Sequence, residues 1–461
     1  MYKKSIFIFR RDLRLNDNIA LKKALSVSKD VFLCFILDPA QIEKNSYKSQ
    51  KAVDFMIECI FDLDEQLKNL RKTGKVKNAG KLHVFYGKPE DVLGKIIPEI
   101  KAESVFVNKD YTPFSMKRDQ KIKEICKKEN AAFESFDDSL LNPPGSVVKN
   151  DGSPYVVFTP FYKKALAFDI NVPVVLSKFN FNSSKINDDK NRLKELHSGL
   201  DKALTGGRDK AVNILKNAGD FKDYEKTRDF PFIVSTTKLS AYIKFGAVSV
   251  REVYHYFKKY LGVSHPLIRQ LYWRDFWIHI AYHFLHVFGS SFYKKYDSLK
   301  WENNDDKFKA WCEGKTGFPI VDAGMRELNK TGFMHNRVRM ITASFLVKDL
   351  HIDWRKGEKY FAQKLIDYDP CVNNGNWQWA ASTGCDAQPY FRIFNPWRQQ
   401  ERFDFDCKYI KKWVPELNFL NNKEIHNIHK SAVDVYGYPK PIVDHKTEAG
   451  KAKSMYLNAG S

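Results

Sequence analysis

Short apolar runs alternate with longer amphipathic stretches through the first third of the chain, and the alternation stops near residue 137. The runs are SIFIF (5–9), VFLCFIL (31–37), LHVFY (82–86), SVFVN (104–108) and AAFESF (131–136). Each is brief and rich in Val, Ile and Phe, the signature of a strand buried on both faces. Between the runs, AVDFMIECIFDLDEQLKNL (52–70) carries apolar residues at helical spacing. Strand, helix, strand repeated predicts a Rossmann-like α/β domain over 1–137, with a parallel five-stranded sheet covered by helices. No GxGxxG follows the first run; FRRDLRLNDN stands there instead. A dinucleotide held on a glycine turn is therefore not expected in this domain.

Periodicity fades over 138–204. LNPPGSVVKNDGSP is turn chemistry and SKFNFNSSKINDDKN is polar and irregular, so this segment reads as an interdomain connector crossing the surface. Beyond 205 the spacing turns helical. LSAYIKFG, HPLIRQLYWRDFWIHIAYHFLHVFG, GMRELNKTGFMHNRVRMITASFLVKDL and KYFAQKLIDYD predict a large all-α domain over 205–461, broken at KTGFP, NKTG and FNP.

Composition narrows the class. No apolar run approaches the roughly 20 residues that cross a bilayer, and arginines end the N-terminal apolar run too early for a signal peptide. A cytoplasmic protein is expected. The seven cysteines are odd in number, scattered and without a CxxC pair, which argues against a disulfide frame or zinc site. His279, His283 and His286 have metal-like spacing but no completing Glu or Cys nearby, so they are read as packing or solvent-facing and no metal is expected. The net charge of +21 is the footprint of a protein that meets polyanions, although solvated surface lysines contribute to it.

All nine tryptophans lie in the helical region: Trp273, Trp277, Trp301, Trp311, Trp354, Trp377, Trp379, Trp397 and Trp413. Most are read as core filler. The exceptions are marked by their neighbours. MHNRVRM puts Asn336 and Met340 on one helix face, with His335 and Arg339 on the next. LIDYDP supplies Asp367 and Asp369 ahead of NNGNWQWAASTG (373–384), where Trp377 and Trp379 should face opposite sides of a helix. A charge in an aromatic interior needs a partner, and Arg339 with Asp367 is the candidate pair. Polar groups set among aromatics predict a pocket for a planar, polar cofactor.

These stretches carry a resemblance. TGFMHNRVRMITASFLVKDLHIDWRKGEKYF, continuing through LIDYDPCVNNGNWQWAASTGCDAQPYFRIFNP, resembles the flavin-binding helical domain of the photolyase/cryptochrome family, nearest the class I cyclobutane pyrimidine dimer photolyases. FIFRRDLRLNDNIAL resembles the family's first strand and turn, and PPGSVVKNDGSPYVVFTPFYKKAL its interdomain segment. The likeness runs to YPKPIVDHK. It implies a reduced FAD in the helical domain that, excited by blue light, passes an electron to a flipped-out dimer and recovers it once the ring has split. Tyr224, Thr236, Thr237, Leu239 and Ser240 match FAD-phosphate positions. Arg274, Asn336, Arg339, Asp367, Asp369 and Asn373 match the ring and ribose neighbours, Asn373 facing flavin N5.

Trp377, Trp354 and Trp301 match an electron-hopping chain toward the surface. Trp273 and Trp379 match the walls of the lesion cavity, where stacking is worth roughly 1–3 kcal/mol per base. Gln270, Asn336 and Met340 match contacts to the pyrimidines, and Arg337 and Arg392 match DNA-phosphate contacts. Gln270 departs from the glutamate usual in class I and is shared with (6-4) photolyases and animal cryptochromes. The (6-4) enzymes, however, use a histidine pair where this chain has MHNRVRM, so dimer repair is the favoured reading. A (6-4) photolyase and a cryptochrome-like signalling flavoprotein remain the alternatives. Arg11, Lys51, Asp110 and Arg118 match deazaflavin-antenna positions, with Thr112 where an acid is common; ordinary surface charges are equally compatible. The second chromophore is left open between a deazaflavin and methenyltetrahydrofolate. The resemblance further implies a monomer acting on ultraviolet-damaged DNA, with no membrane and no obligate protein partner.

Overall fold

A computed structural model describes residues 1–72, 80–182, 184, 186–430 and 437–459. All five apolar runs are strands: β1 (Tyr2–Phe9), β2 (Ser28–Leu37), β3 (Leu82–Tyr86), β4 (Ser104–Asn108) and β5 (Ala132–Phe136). They form one parallel sheet in the order β3-β2-β1-β4-β5. Alternate residues of β1 serve two cores. Ile6 and Ile8 pack with Ile96, Ile97 and Ile122, while Phe7 and Phe9 join the cluster of Leu33 and Phe35. Burial on both faces is why the strands read as unbroken apolar runs. The second cluster continues through Tyr242, Phe245, Leu267 and Trp277, so one face of the sheet shares its core with the helical region.

The connector is more tightly anchored than its composition foretold. It contains a helix, Phe158–Ala165, whose Phe158 and Phe161 are buried. Further on, Asn180 and Asn182 hydrogen-bond to both backbone groups of Val31 at the start of β2, at 2.9 and 2.8 Å. A few buried aromatics suffice for this anchoring, and the polar residues between them hide the pattern.

Proline and aspartate set the helix starts around the centre of the helical region. Pro266, Pro319 and Pro370 open the helices Pro266–His283, Pro319–Thr331 and Pro370–Ala380. Asp353 and Asp369 cap Trp354–Lys364 and Pro370–Ala380, and the His335 side chain caps Asn336–Lys348. At the junction with the sheet, Gly246 has φ of 69°, and a side chain there would run into the backbone of Arg11 and Asp12. No helix among the described residues is long and apolar enough to cross a membrane.

Candidate functional site: a cavity in the helical domain

The helices Ser240–Phe245, Pro266–His283, Asn336–Lys348 and Pro370–Ala380 leave between them a cavity of about 350 Å³, within the usual size of a ligand pocket. Fifteen sequence-predicted residues line it: Tyr224, Thr236, Thr237, Leu239, Ser240, Gln270, Arg274, Asn336, Arg339, Met340, Asp367, Asp369, Asn373, Trp377 and Trp379. Residues spread over more than 150 positions meet in one space.

The carboxylates on its wall are paired. Arg339 Nη2 lies 3.0 Å from Asp367 Oδ2, as the sequence led us to expect, and Ser240 Oγ donates to the same oxygen at 2.6 Å. Asp369 accepts from Cys371 N and Val372 N at 3.0 and 3.2 Å, capping its helix, and is ion-paired with Arg11. Burial alone would raise the Asp369 carboxyl; Arg11, Arg274 and Lys244 outweigh it and hold the group below the usual carboxylate range. Lys244, also on the wall, is pushed down to about 8 by burial and by the neighbouring Arg11. Arg274 Nη1 donates to the Ser139 carbonyl at 2.7 Å.

Asn373 is oriented from behind. Its Nδ2 donates to Glu358 Oε1 at 2.9 Å and to the Glu358 carbonyl at 3.2 Å, leaving Oδ1 as the free end of the amide. Burial pushes the Glu358 carboxyl up to about 7, against the pull of the Asn373 hydrogen bond. Asn336 and Met340 do share a face, with Nδ2 and Sδ 3.7 Å apart.

Trp377 is 2% exposed and its ring meets Phe361 edge-on at 4.9 Å. It lies so close to Gly357 that a Cβ there would collide with its indole. Trp354 is equally buried, and Trp301 is half-buried against Tyr456 at 6.3 Å. Trp377 stands on the cavity wall, Trp354 in the core and Trp301 partly exposed. Trp379 is half-buried on the cavity wall.

Other expected residues lie elsewhere. Trp273 is outside the cavity lining; one indole face stacks on Phe158 at 3.6 Å and 7°. Arg337 Nη2 is paired with Asp229 at 2.8 Å, and Arg392 is exposed. Of the four antenna candidates, Arg11 and Arg118 both act on Asp110, and Lys51 lies apart. Arg11 bridges Asp110 and Asp369 at the domain junction, Lys51 Nζ donates to the Asn329 and Lys330 carbonyls, and Arg118 shares Asp119 with Arg10. Thr112 caps the helix Pro113–Lys128, a local reason for a threonine there. Elsewhere, Glu302, His351 and Glu448 bring ligand-type atoms within 4.8 Å of one another, but His351 and Lys451 already hold Glu448, at 2.7 and 3.0 Å.

Sequence reasoning missed Lys244, Glu358 and Gly357. One signal for Glu358 was available: it sits on the buried face of its helix with Trp354, Phe361 and Ala362, where an unexplained acid marks a site.

The fold and the cavity define a class: a parallel α/β domain without a glycine turn, joined to a helical domain hollowed for a polar, planar cofactor. Residues 5–176 match the family described as DNA photolyase, and residues 267–458 match the FAD binding domain of DNA photolyase. The chain belongs to the DNA photolyase family. It is 37% identical to a deoxyribodipyrimidine photo-lyase of Alkalihalophilus pseudofirmus, over 97% of this chain and 96% of that one. An archaeal photolyase structure from Sulfolobus tokodaii superposes with a TM-score of 0.89 at 43% identity, covering 99% of this chain and 100% of that one. A Synechocystis cryptochrome structure also gives 0.89, at 27% identity, covering 98% and 99%.

Proposed function

We propose that this chain is a light-driven, FAD-dependent DNA repair lyase that splits cyclobutane pyrimidine dimers. The observation that carries the reading is that one cavity holds both sets of residues: the FAD positions Arg274, Arg339, Asp367, Asp369 and Asn373, and the lesion positions Gln270, Asn336, Met340 and Trp379. The donor set suits FAD. Hydroxyls at Tyr224, Thr236, Thr237 and Ser240 fit a pyrophosphate, and paired charges with an oriented amide fit a flavin ring. When bound and reduced, FAD would supply under blue light the electron that opens the cyclobutane ring.

The chain's own part is positioning. Asn373, fixed by Glu358, presents an acceptor oxygen; Arg339 and Asp367 hold each other; Gln270 offers an amide to the pyrimidine carbonyls. Trp301, Trp354 and Trp377 would pass electrons inward to an oxidised cofactor, and Trp379 would wall the lesion. Asn336 and Met340 favour dimer repair over (6-4) repair, since both line the cavity in the stretch where the (6-4) enzymes use a histidine pair. For the second chromophore, the Sulfolobus tokodaii photolyase structure holds two FAD molecules and implies a light-harvesting cofactor. A second FAD thus joins deazaflavin and methenyltetrahydrofolate, and the native absorption spectrum separates the three.

The test is repair of irradiated DNA in light and in darkness. Light-dependent return of dimers to monomers is expected. Repair in the dark, or repair of (6-4) products alone, refutes the assignment.

A further inference from the structure

The cavity's arginines are already engaged, Arg274 with the Ser139 carbonyl and Asp275 and Arg339 with Asp367, and Arg11 at the domain junction is held by Asp110 and Asp369. Arg269 differs. It stands on the Pro266–His283 helix immediately before Gln270, is exposed, and has no carboxylate partner among the described residues. Helical spacing puts it on the same face as Trp273, next to the face of Leu267, Gln270, Leu271 and Arg274 that lines the cavity. Its guanidinium carbon lies 5.4 Å from the Phe158 ring centre and 5.7 Å from that of Tyr162. Phe158 in turn stacks on Trp273, and its N–H donates to Asp386 Oδ2 at 3.2 Å. Two rings thus carry an unpaired cation beside the cavity, with exposed Lys163 and Lys164 on the neighbouring helix.

We infer that Arg269, held on the Phe158–Tyr162 platform, takes a backbone phosphate of the DNA strand that carries the lesion. The inference rests on the repair reading for its partner. A cation supported on aromatic faces keeps a defined direction without a carboxylate to neutralise it, which suits a phosphate. A phosphate contact positions DNA without reading the base, so it should act on irradiated and undamaged duplex alike.

The experiment measures binding of FAD-loaded protein, in the dark, to irradiated and undamaged duplex between 50 and 200 mM NaCl. For Arg269→Gln the salt slope should become shallower by about 0.9, the value of one phosphate, on both duplexes, with FAD content unchanged. Arg269→Lys should keep the wild-type slope. Tyr162→Leu, which removes half of the platform but no charge, should weaken binding less than Arg269→Gln. An unchanged affinity and slope in Arg269→Gln overturns the inference, and so does a loss confined to irradiated duplex. If the wild type fails to prefer irradiated duplex, the repair reading fails, while the slope on undamaged duplex still decides the phosphate contact.

Discussion

Arg339 and Arg118 are both arginines paired to an aspartate, at 3.0 and 3.1 Å; Arg339 lines an open cavity, whereas Arg118 shares its aspartate with Arg10. Both were singled out by matching positions in a motif. In the helical domain the matched residues converge on one volume. In the sheet domain Arg11 and Arg118 both act on Asp110, Arg11 by an ion pair at 3.2 Å, while Lys51 lies apart at the end of a helix. The first set borders space, whereas the charges of the second pair with one another and with their neighbours. Where they border one another, the same residues hold the fold together.

The sharpest way to break that contrast is at Asp369, which belongs to both groups, lining the cavity while closing the junction through Arg11. Asp369→Ala removes a helix cap and leaves Arg11 without its stronger partner. Breaking such a pair costs about 3–5 kcal/mol. Urea unfolding should show that loss, together with a fall in bound FAD. A loss of FAD at unchanged stability would mean that Asp369 serves the cavity alone.

Glu358 tests the cavity side through pH. Its folded-state carboxyl is raised to about 7, so the folded protein holds that proton more tightly than the unfolded chain. The linked stability is fully present below the ordinary carboxylate range and is lost as pH rises through about 7. The size is about 3 kcal/mol. In FAD-free protein, Glu358→Gln should flatten the stability profile between pH 5 and 7. A profile that keeps its slope would show that another group carries it.

Gly357 probes the wall behind Trp377. Gly357→Ala overpacks the indole and Leu346, at a cost of about 1–3 kcal/mol. Light-driven reduction of oxidised protein should slow as Trp377 shifts, while repair by chemically reduced protein is largely kept. Equal loss of both would remove Trp377 from the recharging path.

How much of this was legible follows the same physics. The strands could be read because two covered faces force unbroken apolar runs, and Arg339 with Asp367 because buried charge needs a partner. The breaks at KTGFP and FNP end in Pro319 and Pro396, which open helices. Gly357 and Lys244 were not legible, since their importance lies in what approaches them from distant parts of the chain. The stacking of Phe158 on Trp273 was hidden too. It joins the connector to a helix more than 100 residues away, and neither segment announces the other.

The smallest expected effect falls on the sheet side, at Lys51. Its ammonium donates to two backbone carbonyls at the end of the Pro319–Thr331 helix, where a cation favours the helix dipole by roughly 0.3–1 kcal/mol. Lys51→Ala should therefore cost no more than about 1 kcal/mol in urea unfolding. It should leave unchanged any violet or near-ultraviolet absorption band beyond those of the catalytic FAD, because the amine is directed at the helix end. Disappearance of such a band in Lys51→Ala would mean that Lys51 contacts the second chromophore after all. The contrast between a site that borders space and charges that border one another would then hold for Arg11 and Arg118 but not for Lys51.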